Sequence, residues 1–389
     1  MSGMRDWKER AHKQFSTWRD TWVRGLGAED ADPIYPYGHM IKYLIEPDHT
    51  PFLDLLGGGG FVPQGHGNQV VGTALSKMAN QAYQTSDRGD HVYSATAEFM
   101  TKVEEHLPFG SPSWQFASSE NEAFLLLMEA VRYKYRRVLV INGPGAWPNA
   151  GGHVHWSKTD RIFPGGPWST LDIQDTAFVV FPVNPETFEV VSPNTLAMLD
   201  VFIQDDSNTL VWDLSVTAGW TREVLDVHPQ ADAVLLGGAL GGGLPFGAVV
   251  SRKRLPFPDS GRWSATAGGA LPTQLGLHVL LLGEGNQARD RYDELVGAVG
   301  REVEDLQTQL PEMVREVTGG GLLVGFKLNS VQEADRMVRG LKERGVLVGS
   351  LGIPRGVVTF RVTRTTDPHD VSELFDKVFD ILTEEEGKK

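Results

Sequence analysis

The region over residues 210–269 constrains the fold more than any other part of this sequence. It begins with the apolar run LVWD, which ends at Asp213, and continues with an uncharged run over residues 233–250 that contains six glycines. Apolar runs that stop at glycines are typical of buried strands joined by tight turns. Because polar residues at the ends of such strands often form ligand sites, we expect one between Asp213 and the glycine turn.

Composition excludes several classes of partner. The 389 residues are 41% hydrophobic, enough for two or three globular domains, and the formal net charge of -14 repels nucleic acid and anionic membrane surfaces. There is no cysteine, so neither a disulfide nor a thiolate nucleophile is available. The run over 233–250 approaches the length of a membrane span, but its glycines indicate strand, turn and strand. With no signal-peptide pattern either, we expect a cytoplasmic protein.

Periodicity places the other elements. Helical spacing predicts helices over 95–107, 274–282, 290–306, 331–344 and 370–382, and apolar runs predict strands at 138–141, 176–183, 346–348 and 357–361. A dinucleotide-binding turn is excluded, because the glycines at 241–243 lead into a strand rather than a helix. The overall pattern is that of an α/β protein.

The glycine turn carries a specific resemblance. The sequence GGALGGGLPFGAV at 237–249 matches without a gap the block A-K-G-L-G-G-G-F-P-I-G-A-V of the class III aminotransferases. These pyridoxal-phosphate enzymes include acetylornithine, ornithine and 4-aminobutyrate aminotransferases, and the resemblance extends from about residue 35 to about 385. The alignment places Gly238 where the family has the lysine that forms a Schiff base with the cofactor.

The resemblance implies the pyridoxal-phosphate-dependent transferase fold type I, with a large domain around a mostly parallel, seven-stranded type of sheet and a small α+β domain. The implied division is an N-terminal part of the small domain at 1–59, the large cofactor-type domain at 60–290 and the C-terminal small domain at 291–389. It also implies a homodimer, since Thr266 aligns with a phosphate-binding threonine that class III dimers supply from the neighbouring subunit.

A second block, FASSENEA at 116–123, resembles the family's F-x-N-S-G-T-E-A. In the family this helix start binds the cofactor phosphate through free backbone N–H groups. The ungapped alignment makes Ser119, Glu120 and Asn121 cofactor-site residues, with Glu120 in place of glycine. A one-residue gap would instead make Glu120 the motif's own glutamate. We interpret Glu120 as a cap of the helix N-terminus.

Three further residues align with functional positions. Asp213 aligns with the carboxylate that binds the pyridine nitrogen, Arg361 with the arginine that binds the substrate carboxylate, and Trp147 lies near the aromatic residue that stacks on the cofactor ring. Asp213, Arg361 and Thr266 also have ordinary interpretations: a strand-end aspartate capping a turn, a half-buried arginine and a threonine in a glycine loop.

The departures from the family pattern are concentrated at the positions that align with the family's active-site residues. Gly238 replaces the lysine, Phe181 and Leu214 replace glutamates, Val216 replaces a glutamine and Glu120 replaces a glycine. None of these five residues can perform the role of the residue that it replaces, because the cofactor reaction needs an amine and charged groups that hold the cofactor. We expect a degenerate site with a binding, regulatory or scaffold role for an amino-acid-like ligand or a protein partner. Pyridoxal or pyridoxamine phosphate would then bind weakly or not at all.

The alternative is an active enzyme with a relocated base. Lys158 could supply a relocated Schiff-base amine, and His66 or His155 could act as a base beside non-covalently bound cofactor. His153 and His155 lie on one face of an extended segment, as metal-binding pairs do, but without a third ligand we expect a polar loop and no metal.

Overall fold

The computed structural model describes residue 10 and residues 38–46, 48–80, 94–143, 174–252, 255–256, 270–349 and 356–384. In chain order the strands are β1 Gly38–Met40, β2 Tyr43–Ile45, β3 Pro51–Asp54, β4 Ser113–Ala117, β5 Arg137–Ile141, β6 Thr176–Val180, β7 Thr209–Asp213, β8 Ala233–Leu236, β9 Gly247–Ser251, β10 Glu316–Gly320, β11 Leu323–Lys327, β12 Val346–Leu347 and β13 Val357–Arg361. The helices are α1 Gln69–Asn80, α2 Ser94–Glu104, α3 Glu120–Lys134, α4 Pro193–Phe202, α5 Ala270–Gly283, α6 Asn286–Gln309, α7 Val331–Glu343 and α8 Pro368–Thr383.

A six-stranded sheet with the order β4-β9-β8-β7-β6-β5 forms the centre of the described chain. Strands β5 to β8 are parallel neighbours, and β9 is antiparallel to both β8 and β4. Every residue of β6, β7, β8 and β9 is buried, as expected for strands covered by helices on both faces. The prediction of an α/β fold with a mostly parallel sheet is confirmed, with six of the expected seven strands among the described residues.

The turn between β8 and β9 has the form that its glycines predict. A 3-10 helix over Gly238–Gly241 follows β8, and the chain then passes through Gly242 and Gly243 with φ angles of 60° and 94°. Residues with side chains rarely adopt these left-handed conformations, so glycine is required at both positions. The turn places Gly238 at the carboxyl end of β8, next to the end of β7.

A second hydrophobic core lies away from the large sheet. It joins Leu53 and Leu55 from the N-terminal part to residues of α6, α7, α8 and the antiparallel sheet β10-β11-β13. The short strand β12 pairs in parallel with β3, in a four-stranded sheet with β1 and β2. The two ends of the described chain therefore share one core. The domain limits at 59 and 290 stay predictions, and α6 runs through position 290.

No helix in the described ranges is both long and apolar enough to cross a lipid bilayer.

Candidate functional site

Three segments meet at the carboxyl ends of β7 and β8. The first comprises Asp213, the last residue of β7, and the glycine turn after β8. The second is the start of α3, whose Glu120 side chain contacts Gly238. The third is the loop after β3, where Gly57 and Gly60 pack closely against Arg361 at the end of β13. The fold thus brings the end of β7, in the six-stranded sheet, and the end of β13, in the three-stranded sheet, to one site.

Asp213 offers an unused hydrogen-bond acceptor at the base of this site. Its side chain is 1% exposed, and its Oδ1 accepts a hydrogen bond from the Ser215 backbone N–H at 2.9 Å. Its Oδ2 is buried and has no hydrogen-bond partner among the described residues. Burial raises the pKa of Asp213 to about 7, hydrogen bonds from Ser215 oppose this, and the charge of Glu120 adds to it. A buried carboxylate oxygen that lacks a hydrogen bond is costly, so Asp213 strongly favours a ligand that donates an N–H group.

The start of α3 corrects the interpretation of Glu120 as a helix cap. Ser119 is the N-cap, because its Oγ accepts a hydrogen bond from the Glu122 N–H at 3.2 Å, and Glu122 in turn accepts one from the Ser118 N–H at 2.6 Å. Capping is therefore complete without Glu120. Asn121, the second helical residue, is exposed.

Glu120 turns into the site instead. It is the first residue of α3, and its Oε2 accepts a hydrogen bond from the Gly238 backbone N–H at 3.3 Å. Burial raises the pKa of Glu120, while the hydrogen bond from Gly238 and the positive charge of Arg361 lower it. A carboxylate consequently lies beside the position that the alignment assigns to the lysine.

Gly238 has no space for a side chain. A Cβ atom built on it would lie 2.2 Å from both Cδ1 and Cε1 of Phe61. A Cβ on Gly237 would lie 2.7 Å from Cα of Ser215 and 3.0 Å from Oε2 of Glu120. The Phe61 ring thus occupies the volume where a lysine side chain would begin. No local pattern in the sequence marks Phe61 as a site residue.

Arg361 is a half-buried cation with spare donor capacity. Its Nε is buried and has no hydrogen-bond partner in the described ranges, and its guanidinium carbon lies 4.8 Å from the centre of the Phe188 ring. Burial lowers the pKa of Arg361 to about 10, and the charges of Asp54 and Glu120 oppose this. The guanidinium therefore stays charged at neutral pH and can bind an anionic group.

His66 is held by a buried aspartate. Its Nε2 lies 2.6 Å from Oδ2 of Asp54, which is 2% exposed. Asp54 also accepts hydrogen bonds from the N–H groups of Leu56 and Gly58, at 2.9 Å and 2.8 Å. The carboxylate orients the imidazole and also organises the loop that carries Phe61.

No protein-family model matches this chain. The mitochondrial acetylornithine aminotransferase of Yarrowia lipolytica is 28% identical over 32% of this chain and 30% of its own length. The acetylornithine aminotransferase of Gloeobacter violaceus is 33% identical over 33% of this chain and 32% of its own length. The chain thus matches about a third of the length of these relatives. The ornithine aminotransferase of Staphylococcus carnosus is 22% identical over 78% of this chain and 83% of its own.

Solved structures match over almost the whole chain. The ornithine aminotransferase from Toxoplasma gondii has a TM-score of 0.78 at 19% identity, covering 97% of this chain and 96% of its own. The N-acetylornithine aminotransferase from Stenotrophomonas maltophilia has a TM-score of 0.76 at 17% identity, covering 96% and 100%. Homologues and structural neighbours of this chain are class III aminotransferases. The predicted transferase fold type I is confirmed.

Among these aminotransferases, the Toxoplasma gondii structure has pyridoxal phosphate at partial occupancy in its active site. The described residues of the present homologue fit that group only in part. The unpartnered Oδ2 of Asp213 suits a protonated pyridine nitrogen. Elsewhere in the site, Gly238 offers no amine and Phe61 fills the adjacent space. Glu120 also places a negative charge at the start of α3. The site therefore does not fit a cofactor held covalently at position 238.

Two other positions at which the alignment predicts a lost glutamate lie in the hydrophobic core. Phe181 is 1% exposed, and its ring centroid lies 6.1 Å from that of Phe124. Leu214 is fully buried directly after β7. Val216 is half-buried in the loop that follows.

Several predicted site residues lie outside the described residues: Trp147, His153, His155, Lys158 and Thr266. Within the described ranges, no group of three His, Cys, Asp or Glu side chains is arranged to hold a metal ion.

Proposed function

We propose that this class III aminotransferase homologue binds a small amino-acid-like ligand in a degenerate active site and has a binding or regulatory role rather than ordinary transaminase activity. One observation carries the proposal: the Phe61 ring stands 2.2 Å from where the side chain of residue 238 would start. The missing lysine is thus accompanied by a neighbour that fills its space.

The reaction of the family depends on that amine. Transamination needs a nucleophilic amine that also moves a proton, and removing such a group costs several powers of ten in rate. Within the described residues, the Phe61 ring lies nearest to a side chain at position 238, and Glu120 accepts a hydrogen bond from the Gly238 N–H. A phenyl ring supplies neither function, and a carboxylate can move a proton but cannot form the Schiff base.

Weak or absent cofactor binding is part of the proposal. The start of α3 would attract a phosphate through its helix dipole, but the Glu120 carboxylate at the same turn opposes a second anion. Arg361 remains to bind the carboxylate of an amino-acid-like ligand.

A second candidate function is an enzyme that uses non-covalently bound pyridoxal or pyridoxamine phosphate. The observation in its favour is the unpartnered Oδ2 of Asp213. His66, oriented by Asp54 at 2.6 Å, is then a candidate base, and Lys158 or His155 would be others. A relocated lysine would make Lys158 the first candidate for the covalent link.

One experiment separates these functions. Purified protein is mixed with pyridoxal phosphate, its absorbance is recorded, and borohydride reduction is followed by mass spectrometry. We expect a colourless protein without an adduct. A yellow protein with an adduct on Lys158 or another native lysine would overturn the proposal. Bound colour without an adduct would favour the second candidate, in which case Asp213→Ala should release the cofactor.

Two variants serve as matched controls. Gly238→Lys alone should form little adduct, because the new side chain meets the Phe61 ring, whereas Phe61→Ala combined with Gly238→Lys should form one at position 238. Neither should reach full transaminase turnover, since Phe181 and Leu214 still replace charged residues. Full turnover by Gly238→Lys alone would contradict a degenerate site.

We also propose a cytoplasmic homodimer without nucleic-acid or membrane partners. The formal charge of -14, the absence of cysteine and the alignment of Thr266 with a phosphate ligand from the neighbouring subunit support this proposal.

A further inference from the structure

Two carboxylates lie close to the backbone of Gly237. A Cβ atom on Gly237 would lie 3.0 Å from Oε2 of Glu120 and 2.7 Å from Cα of Ser215, whose N–H binds Asp213. Glu120 accepts a long hydrogen bond, 3.3 Å, from the Gly238 N–H, and Oδ2 of Asp213 has no hydrogen-bond partner within the described part of the chain. Their charges interact, since Glu120 contributes to the raised pKa of Asp213. Two partly desolvated carboxylates repel each other, and a cation placed between them relieves both the repulsion and the missing hydrogen bond.

We propose that Glu120 and Asp213 form a pocket for the primary ammonium group of a small ligand, while Arg361 holds that ligand's carboxylate. The ligand class is therefore a free amino acid in its zwitterionic form, bound without a cofactor. The inference rests on the proposed function, because a cofactor held in the site would occupy the same volume.

The charge arrangement explains why the pocket selects an ammonium group. A helix N-terminus by itself attracts anions, but the first residue of α3 supplies its own carboxylate and directs it to Gly238. An ammonium group has three donors and can serve both carboxylates at once. At the other end of the site, the unpartnered Nε of Arg361 needs an acceptor, which a ligand carboxylate provides.

Discrimination against a ligand without the amine should be strong. Such a ligand would leave Oδ2 of Asp213 without a donor, and sites built around buried polar groups reject analogues that lack the matching group. An amine without a carboxylate would leave Nε of Arg361 without an acceptor in the same way.

The test is calorimetric titration of cofactor-free protein with amino acids that carry a terminal amine on chains of two to six carbons, and with the carboxylic acids of the same lengths. We expect at least one amino acid to bind, with its deaminated counterpart at least about tenfold weaker. Glu120→Gln, which keeps the size of the side chain, should weaken the amino acid about tenfold and leave the plain acid unchanged or tighter. Glu129→Gln, at an exposed position on the same helix, should change neither.

The outcomes that overturn the inference are equally definite. Equal binding of amino acid and plain acid, unchanged affinity in Glu120→Gln, or no binding by any member of the series would each exclude the ammonium pocket. The comparison of the two ligand series uses the native protein and does not depend on how the variant folds. A covalent cofactor adduct would overturn the proposed function, whereas colourless protein that fails these titrations would overturn the ammonium pocket alone.

Discussion

Gly238 differs in kind from the glycines that follow it. Gly242 and Gly243 have left-handed φ angles, whereas Gly238 does not, so the backbone there would accept a residue with a side chain. What excludes a side chain at position 238 is the Phe61 ring. At the residue scale, a side chain at position 238 is therefore opposed by packing and not by backbone conformation, so the Phe61 ring would have to move to admit one.

Asp213 makes stability depend on pH in a defined direction. Its pKa is raised from 3.8 to about 7, so the folded state binds this proton more tightly than the unfolded state. The resulting stabilisation is fully present below about pH 4 and is lost as the pH rises through about 7. We expect the free energy of unfolding of the native protein, relative to Asp213→Asn, to fall by on the order of 3 kcal/mol between pH 4 and pH 8.

Urea titrations of both proteins at several pH values measure this difference. Repeating them in a Glu120→Gln background separates the contribution of the neighbouring carboxylate, whose charge also raises the pKa of Asp213. Parallel pH profiles for the native protein and Asp213→Asn would show that Asp213 titrates normally in the folded state.

At the scale of elements, the periodic patterns predict most helices and strands well. The helices expected over 331–344 and 370–382 are α7 and α8, within about two residues at most ends. The helix expected over 290–306 is α6, which begins earlier, at Asn286. Its N-cap is Gly285, with φ 96° and no side-chain hydrogen bond, so the sequence contains no capping signal there.

Arg364 connects elements of the two cores, and its removal should be costly. It is 7% exposed and donates hydrogen bonds to the carbonyls of Gly219, Thr221 and Ala288, at 3.2, 2.6 and 3.3 Å. Arg364→Met would leave these acceptors without partners, so we expect a loss of about 3 kcal/mol in the free energy of unfolding.

Chemical denaturation measures this loss, with Lys327→Gln as the matched control. Lys327 pairs with Glu316 at 2.9 Å, but both side chains are about half exposed, so its removal should cost less than about 1 kcal/mol. A similar small effect for both variants would mean that the Arg364 hydrogen bonds contribute little to the connection.

At the scale of the whole molecule, one core surrounds the six-stranded sheet and another joins Leu53 and Leu55 to the C-terminal helices. The site lies where strand ends from both meet, since Asp213 ends β7 and Arg361 ends β13. A ligand that contacts both residues would bridge the two parts of the chain and stabilise their arrangement.

The expected homodimer is tested on the intact protein. Because the alignment assigns Thr266 to a site in the neighbouring subunit, we expect a dimer at micromolar concentration by sedimentation equilibrium or light scattering. A stable monomer under these conditions would contradict both the dimer and any role of Thr266 across a subunit boundary.

The sequence by itself determined the fold class, and its alignment predicts that Gly238 stands at the lysine position of the family. Both depend on local patterns: buried apolar runs, a glycine turn with a specific spacing, and one residue type at position 238. Only the tertiary structure decided which side chains lie beside Gly238. Phe61 and Glu120 reach Gly238 from segments far away in the chain, and such contacts follow from how the elements pack. The pattern around Glu120 predicts a cap; the structure assigns the cap to Ser119 and turns Glu120 into the site.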